Sequence, residues 1–280
     1  MDLKGKRALV LGGVRSIGKS VALCLAREGM RLAINWFDWE SSVPELEAGL
    51  SAITRDFMLL RQNLLETEKI PALVDAAADA YGGLDALVLN IERGGWPKVH
   101  GPYTKEQWDL EVETTLRAKQ WVFDAALPHL LKEKEAAVVV LTSIAAVVGR
   151  SGPAAPVFSD GYAAASLAAR SLTRSFARRG APMVRVNELM LGFMDTRHGP
   201  GTRGWELLSD KEKQDILDHT LLKRTGNPEE AAQAVRFLLS DATFMTGATL
   251  IMDGGFLLGG DAASSMPPGV VTHGESVFGK

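Results

Sequence analysis

Hydrophobic and polar positions alternate along the chain in a way that sorts it into strands and helices. Lys6 to Leu11 is a short apolar run that stops at Gly12-Gly13. Ile17 to Glu28 then places Val21, Cys24 and Leu25 on one side of a helix, with Gly29 as its C-terminal cap. Arg31 to Asn35 and Asp56 to Leu60 read as strands, and between them Pro44 is placed to start a helix through Glu45, Leu46 and Ala48. Glu68 to Tyr81 reads as a helix ended by Gly82-Gly83, and Leu84 to Leu89 as a buried strand. Lys105 to Leu131 is a long helical stretch with Pro128 near its end. Ala136 to Leu141 is almost pure Ala and Val, as expected of a parallel strand covered on both faces. Tyr162 to Arg179 is a helix, Met183 to Asn187 a strand, Glu229 to Leu239 a helix behind Pro228, and Thr249 to Met252 a last strand.

Strand–helix alternation of this kind predicts an α/β fold: a doubly wound parallel sheet in a three-layer α/β/α single domain of the Rossmann type. The domain is expected over 1–260, with a substrate lid at about 192–225. The tail at 261–280 has little periodicity and reads either as an arm on a partner subunit or as a flexible end.

Composition narrows the chemistry. The 280 residues carry 31 Lys+Arg against 34 Asp+Glu, a formal charge of -3 that gives no support to nucleic-acid binding. A single cysteine, Cys24, excludes an intramolecular disulfide and any cysteine cluster for a metal, so no metal is expected. No apolar run is long enough for a membrane span, and the N-terminus lacks a leader pattern. The expectation is a cytoplasmic protein with a small-molecule substrate.

Gly12-Gly13-Val14-Arg15-Ser16-Ile17-Gly18 lies between the first strand and the first helix. A glycine turn there lets backbone approach a pyrophosphate, while the helix start offers N–H donors. Gly12 and Gly18 stand six apart, with Ser16 where a middle glycine is often found. At the end of the second strand, Trp36 and Phe37 either flank adenine or simply pack. Asp38 suits a ribose hydroxyl although its register is late, and Arg15 suits a 2′-phosphate. NADP or NAD is the expected cofactor, with Arg15 tilting the choice towards NADP.

These segments resemble the short-chain dehydrogenase/reductase family, in the subgroup of 3-oxoacyl-carrier-protein reductases. The resemblance spans about residues 3 to 260. LKGKRALVLGGVRSIGKSVA looks like the family's opening strand and cofactor loop, and YGGLDALVLN like the strand leading to its Asn-Asn-Ala-Gly motif. ALPHL, VRVNELMLGFMDT and FMTGATLIMDGG look like later landmarks. The resemblance implies an Asn–Ser–Tyr–Lys tetrad in which tyrosine exchanges a proton with the carbinol oxygen and serine holds that oxygen. Lysine binds the nicotinamide ribose and favours the phenolate, and asparagine anchors a relay water. Ser143 in LTSIAA matches the serine, and Tyr162 matches the tyrosine of the YxxxK helix. The lysine position is Ser166 and the asparagine position is Thr115.

Other departures accompany these. Tyr162 follows Ser143 by 19 positions, a longer interval than the family's, and the extra residues lie in GRSGPAAPVFSDG. Asn90 keeps one motif asparagine, but Glu92 stands where the family has glycine, beside Arg93. Asn63 occupies the place of an aspartate near adenine, Leu191 that of a proline before Gly192, and Leu11 that of a threonine before Gly12. Met194 and Thr196 match positions that touch the nicotinamide amide and pyrophosphate. The expected cofactor set is therefore Gly12, Arg15, Ser16, Ile17, Gly18, Trp36, Asn63, Asn90, Ser166, Met194 and Thr196, with Tyr162 and Ser143 catalytic.

Loss of the lysine weakens base catalysis, because an unassisted phenol is about one part in a thousand ionised at neutral pH. Lys119, four residues after Thr115, and Arg170, four after Ser166, are candidate surrogate cations or plain structural residues. His198 in the lid reads as a candidate site residue or a loop histidine, while Met190, Met194 and Trp205 line a pocket or fill core. Asp253 reads as structural. Three functions stay open: an oxidoreductase of a carbonyl/alcohol pair with an atypical site, a degenerate member that binds nucleotide or an acyl-like ligand, and a reductase of an activated C=C bond. The long helices at 105–131 and 162–179 imply, through the resemblance, a homo-oligomer, dimer or tetramer.

Overall fold

The computed structural model describes residues 1–91, 103–196, 203–261 and 263. Seven parallel strands form one sheet: β1 (Arg7–Val10), β2 (Arg31–Trp36), β3 (Phe57–Arg61), β4 (Ala86–Leu89), β5 (Ala136–Ser143), β6 (Val184–Leu191) and β7 (Thr249–Met252). Their order is β3-β2-β1-β4-β5-β6-β7, so the direction of winding reverses between β1 and β4. The doubly wound expectation holds.

The helices form the outer layers. On one face α1 (Ser16–Arg27), α2 (Val43–Ser51) and α8 (Pro228–Ser240) bury Val21, Leu25, Leu46, Val235 and Leu239 with Val10, Ile34 and Leu141 of the sheet. On the other, α3 (Ile70–Tyr81), α5 (Ala118–Leu130) and α6 (Asp160–Gly180) bury Val74, Phe123 and Phe176 against Leu87, Val138 and Val186. Strand residues thus face opposite layers alternately, as the pleat requires.

Helix α4 (Lys105–Val112) does not run straight into α5. A π-helical turn, Glu113–Arg117, interrupts the expected continuous stretch, and such turns re-aim side chains at functional sites. Helix α7 (Asp210–His219) lies within the expected lid region, and a capping box between Ser209 and Glu212 starts it. A third apolar cluster gathers beyond the C-terminal ends of β5 and β6. It joins Phe158, Tyr162, Met190, Phe193, Trp205 and Phe256. Met190 and Trp205 therefore fill core rather than line a pocket, and Met194 packs in the first cluster at its cleft edge. The carboxylate of Asp253 accepts the N–H groups of Gly255 (2.8 Å) and Leu257 (2.9 Å), which is a structural role.

One ionic knot fixes the far end of the central strands. The buried Asp85 carboxylate accepts from Lys6 Nζ at 2.9 Å and from Arg7 Nε at 2.6 Å, and Arg7 also meets Glu133. Burial alone would raise the Asp85 carboxyl, but the hydrogen bonds from Arg7 and Lys6 outweigh it and hold the group below its ordinary range.

Candidate active site

The loop after β1 is shaped by backbone requirements. Gly12 takes a φ of +59°, and a Cβ on Gly18 would collide with the Gly12 carbonyl and stand 2.7 Å from Asn90 Nδ2. Ser16, at φ +48°, holds a left-handed conformation that glycine adopts with less strain. Asn90, at the end of β4, donates Nδ2 to the carbonyls of Gly12 (3.3 Å) and Leu11 (3.4 Å), tying the turn to the neighbouring strand. That cradle, closed to any Cβ and adjoining the N-terminus of α1, fits a dinucleotide pyrophosphate.

The loop opens into a cleft of about 440 Å³ that runs across the C-terminal ends of the strands. Gly12, Arg15, Ser16, Ile17, Gly18, Trp36, Asn63, Asn90, Met194 and Thr196 all line it, as do Ser143 and Tyr162. At its adenosine end, the Arg15 guanidinium lies over the Trp39 ring, 3.9 Å from the centroid, and burial pushes Arg15 below the usual arginine range. Trp36 lines the cleft while packing in the core, with Arg61 over its ring at 5.1 Å. Asn63 Oδ1 accepts the Leu65 N–H at 3.1 Å and holds the turn after β3.

At the other end Ser143 and Tyr162 are each 5% exposed. Ser143 Oγ accepts the Ala145 N–H at 3.1 Å. The start of α6, which carries Tyr162, is clamped. Ser159 caps it by accepting the Tyr162 N–H and donates to Glu111 at 2.7 Å. Tyr103 donates to the same Glu111 oxygen and accepts the Gly161 N–H. Burial raises the Glu111 carboxyl against those donors, and burial together with Glu111 pushes the Tyr103 phenol up to about 12.

One expected cofactor residue is not in the cleft. Ser166 is fully buried on α6, behind the wall, and its hydroxyl has no hydrogen-bond partner. Its side chain is too short to reach where a lysine in the same place would extend. Thr115 is likewise buried with an unpartnered hydroxyl, and the π-helical turn presents Thr114 to the cleft instead. Glu92, Arg93 and His198 lie outside the described residues. Trp39, Thr114 and Thr142 line the cleft without having been singled out as site residues; the aromatic cluster around Trp36 was the one signal for Trp39.

A glycine turn at the reversal point of a parallel sheet defines the class, a Rossmann-type α/β protein with a nucleotide-shaped cleft. The chain belongs to the short-chain dehydrogenase/reductase family of oxidoreductases: the family model described as enoyl-(acyl carrier protein) reductase matches residues 12–257. It is similar to the 3-oxoacyl-[acyl-carrier-protein] reductase FabG of Vibrio cholerae, 31% identical over 92% of this chain and 100% of the relative. The reductase of the same description from Thermotoga maritima is 29% identical over 92% of this chain and 100% of its own length. Among solved structures, a putative short-chain alcohol dehydrogenase from Sinorhizobium meliloti is 28% identical with a TM-score of 0.80, covering 92% of this chain and 98% of that one. Members of the family use NAD(P)H, act on small molecules and are commonly oligomeric. No helix among the described residues is long and apolar enough to cross a membrane.

Proposed function

We propose that this chain is an NADP(H)-dependent reductase of a ketone, with a β-keto thioester as the substrate class. The observation that carries this reading is that Ser143 and Tyr162 face the same cleft as the Gly12–Gly18 cradle. The nucleotide supplies a hydride when bound. Gly12, Ser16 and Ile17 would hold its pyrophosphate, and Arg15 its 2′-phosphate. Ser143 Oγ–H orients the substrate oxygen, and Tyr162 Oη–H gives that oxygen its proton. Phe158 and Leu191 keep water from the reacting end. Positioned proton transfer of this kind contributes about 10²–10⁴-fold.

The family model is described by C=C reduction, whereas the similar curated proteins are described by ketone reduction. A paired serine and tyrosine hydroxyl suits an oxygen that must accept a proton, which favours the ketone. A binding-only role draws support from Ser166 and its missing positive charge. NADPH oxidation with acetoacetyl and crotonyl thioesters separates the three readings. The ketone reading expects turnover with the first alone and a loss of about 100-fold in Tyr162→Phe with NADPH affinity kept. Calorimetric binding without turnover would leave the binding role.

Exposed Trp108 on α4, Trp121 on α5 and Leu167 on α6 support assembly through these helices. Light scattering at micromolar concentration is expected to give a mass well above 30.1 kDa. Trp121→Glu should lower it.

A further inference from the structure

Behind the wall that carries Ser143 lies a buried charge. Lys119 on α5 is the only fully buried lysine or arginine among the described residues. Removing an ammonium from water is costly, so its position is held by specific contacts. Its Nζ donates to the Leu141 carbonyl at 2.5 Å. Leu141 directly precedes Thr142 and Ser143, which line the cleft, and Ala118, the neighbour of Lys119 on its own helix, lines it too. Each strand residue advances ~3.3 Å, which puts the ammonium within about 9 Å of the Ser143 backbone.

The surrounding layer is polar where a parallel-sheet core is ordinarily apolar. Thr115, one helical turn before Lys119, and Ser166, one turn after Tyr162, both bury hydroxyls without partners. The other buried charged groups on the elements packed against α6 are neutralised in place. Glu188 on β6 accepts from Thr142 and Thr249, and Arg170 on α6 stands 3.6 Å from it. Glu111 on α4 accepts from Tyr103 and Ser159. Arg170 is thus committed to Glu188, while the Lys119 ammonium is directed at the strand that carries Ser143.

We propose that Lys119 is a positioning cation for Tyr162: fixed on the Leu141 carbonyl behind the cleft wall, it favours the ionised phenol and so eases proton exchange at Tyr162 Oη without touching substrate. This rests on the reading of Tyr162 as the proton donor. A cation in a water-poor layer is screened far less than a surface one, and an opposite charge always favours the ionised form.

The chain has three tyrosines, and the other two ionise late. Tyr103 is pushed up to about 12 by burial and Glu111, and burial raises Tyr81. Tyrosinate absorbance near 295 nm, titrated on the ligand-free full chain, therefore reports Tyr162 first, with Tyr162→Phe as the subtraction control. The wild type is expected to show a Tyr162 step below that of free tyrosine, about pH 10. Lys119→Met should move the step up by about one pH unit or more, and Lys119→Arg should keep it. In acetoacetyl-thioester reduction, Lys119→Met should lower kcat by about tenfold or more, with NADPH affinity kept. Ser166→Lys should raise kcat more in Lys119→Met than in wild type, since each supplies the same charge.

A Tyr162 step that does not move in Lys119→Met overturns the proposal. Should that variant not fold, a wild-type step at or above the free-tyrosine value overturns it equally. The expected shift without turnover in any variant upholds the positioning role and refutes the ketone-reductase reading.

Discussion

The two ends of the cleft were altered in different ways. At the nucleotide end, the departures from the family pattern meet compensating contacts. Ser16 holds a left-handed backbone angle inside a turn tied down by Asn90, and Arg15 stacks on Trp39. At the Tyr162 end, Thr115 and Ser166 leave hydroxyls unpartnered, and Lys119 and Glu188 bring charge into the core. The nucleotide end works through backbone shape, so a range of side chains satisfies it. The other end works through particular side-chain groups, and replacing one disturbs its neighbours.

The sharpest way to break this contrast is Gly18→Val. The added Cβ would meet the Gly12 carbonyl and Asn90 Nδ2, so calorimetric NADPH binding should weaken by about 100-fold or more while circular dichroism stays native. Retained binding would show that backbone shape does not govern that end.

A control away from both ends is Asp85→Asn, which should cost roughly 2–4 kcal/mol in denaturant unfolding because it strands Lys6 and Arg7. The Asp85 carboxyl is held low in the folded chain. Its contribution is therefore fully present above the unfolded value, near pH 4, and is lost as pH falls through the folded one. Asp85→Asn should flatten that acid limb, and an unchanged limb would contradict it.

Ser166→Ala tests the Tyr162 end. Removing an orphaned buried hydroxyl should raise stability by about 1 kcal/mol, read as a higher urea midpoint at unchanged slope. Ser16→Gly makes the matching test at the nucleotide end and should stabilise by about 0.5–1 kcal/mol through relief of the positive φ. If Ser16→Gly proved the larger of the two, the strain would lie at the nucleotide end instead.

Much of the fold is legible in the sequence because parallel strands covered on both faces appear as plain apolar runs. Ala136 to Leu141 is the plainest example. Strand β6 runs on to Leu191, past the expected end at Asn187, because the polar Glu188 is hidden by threonine partners that no local pattern displays. Helix α7 escapes periodicity since DKEKQDILDH has few apolar positions, although the Ser209–Glu212 capping box was there to be read. The π-helical turn at Glu113–Arg117 has no signature in hydrophobic spacing, so the same reading that found the long helix put Thr115 rather than Thr114 towards the site. Loop residues such as Gly12 and Gly18 were legible because their conformational demand is written in their identity. Ser166 was not, because its distance from the cleft depends on side-chain length in three dimensions.

The stack of Arg15 on Trp39 has an optical consequence. Trp39 is half exposed at the adenosine end of the cleft, and a guanidinium against an indole face perturbs its excited state. An anion that draws Arg15 off the ring would change the emission of that one tryptophan, and Trp39→Phe supplies the spectrum to subtract. The protein thus carries a built-in optical reporter at the end of the cleft where a 2′-phosphate and a bare ribose differ.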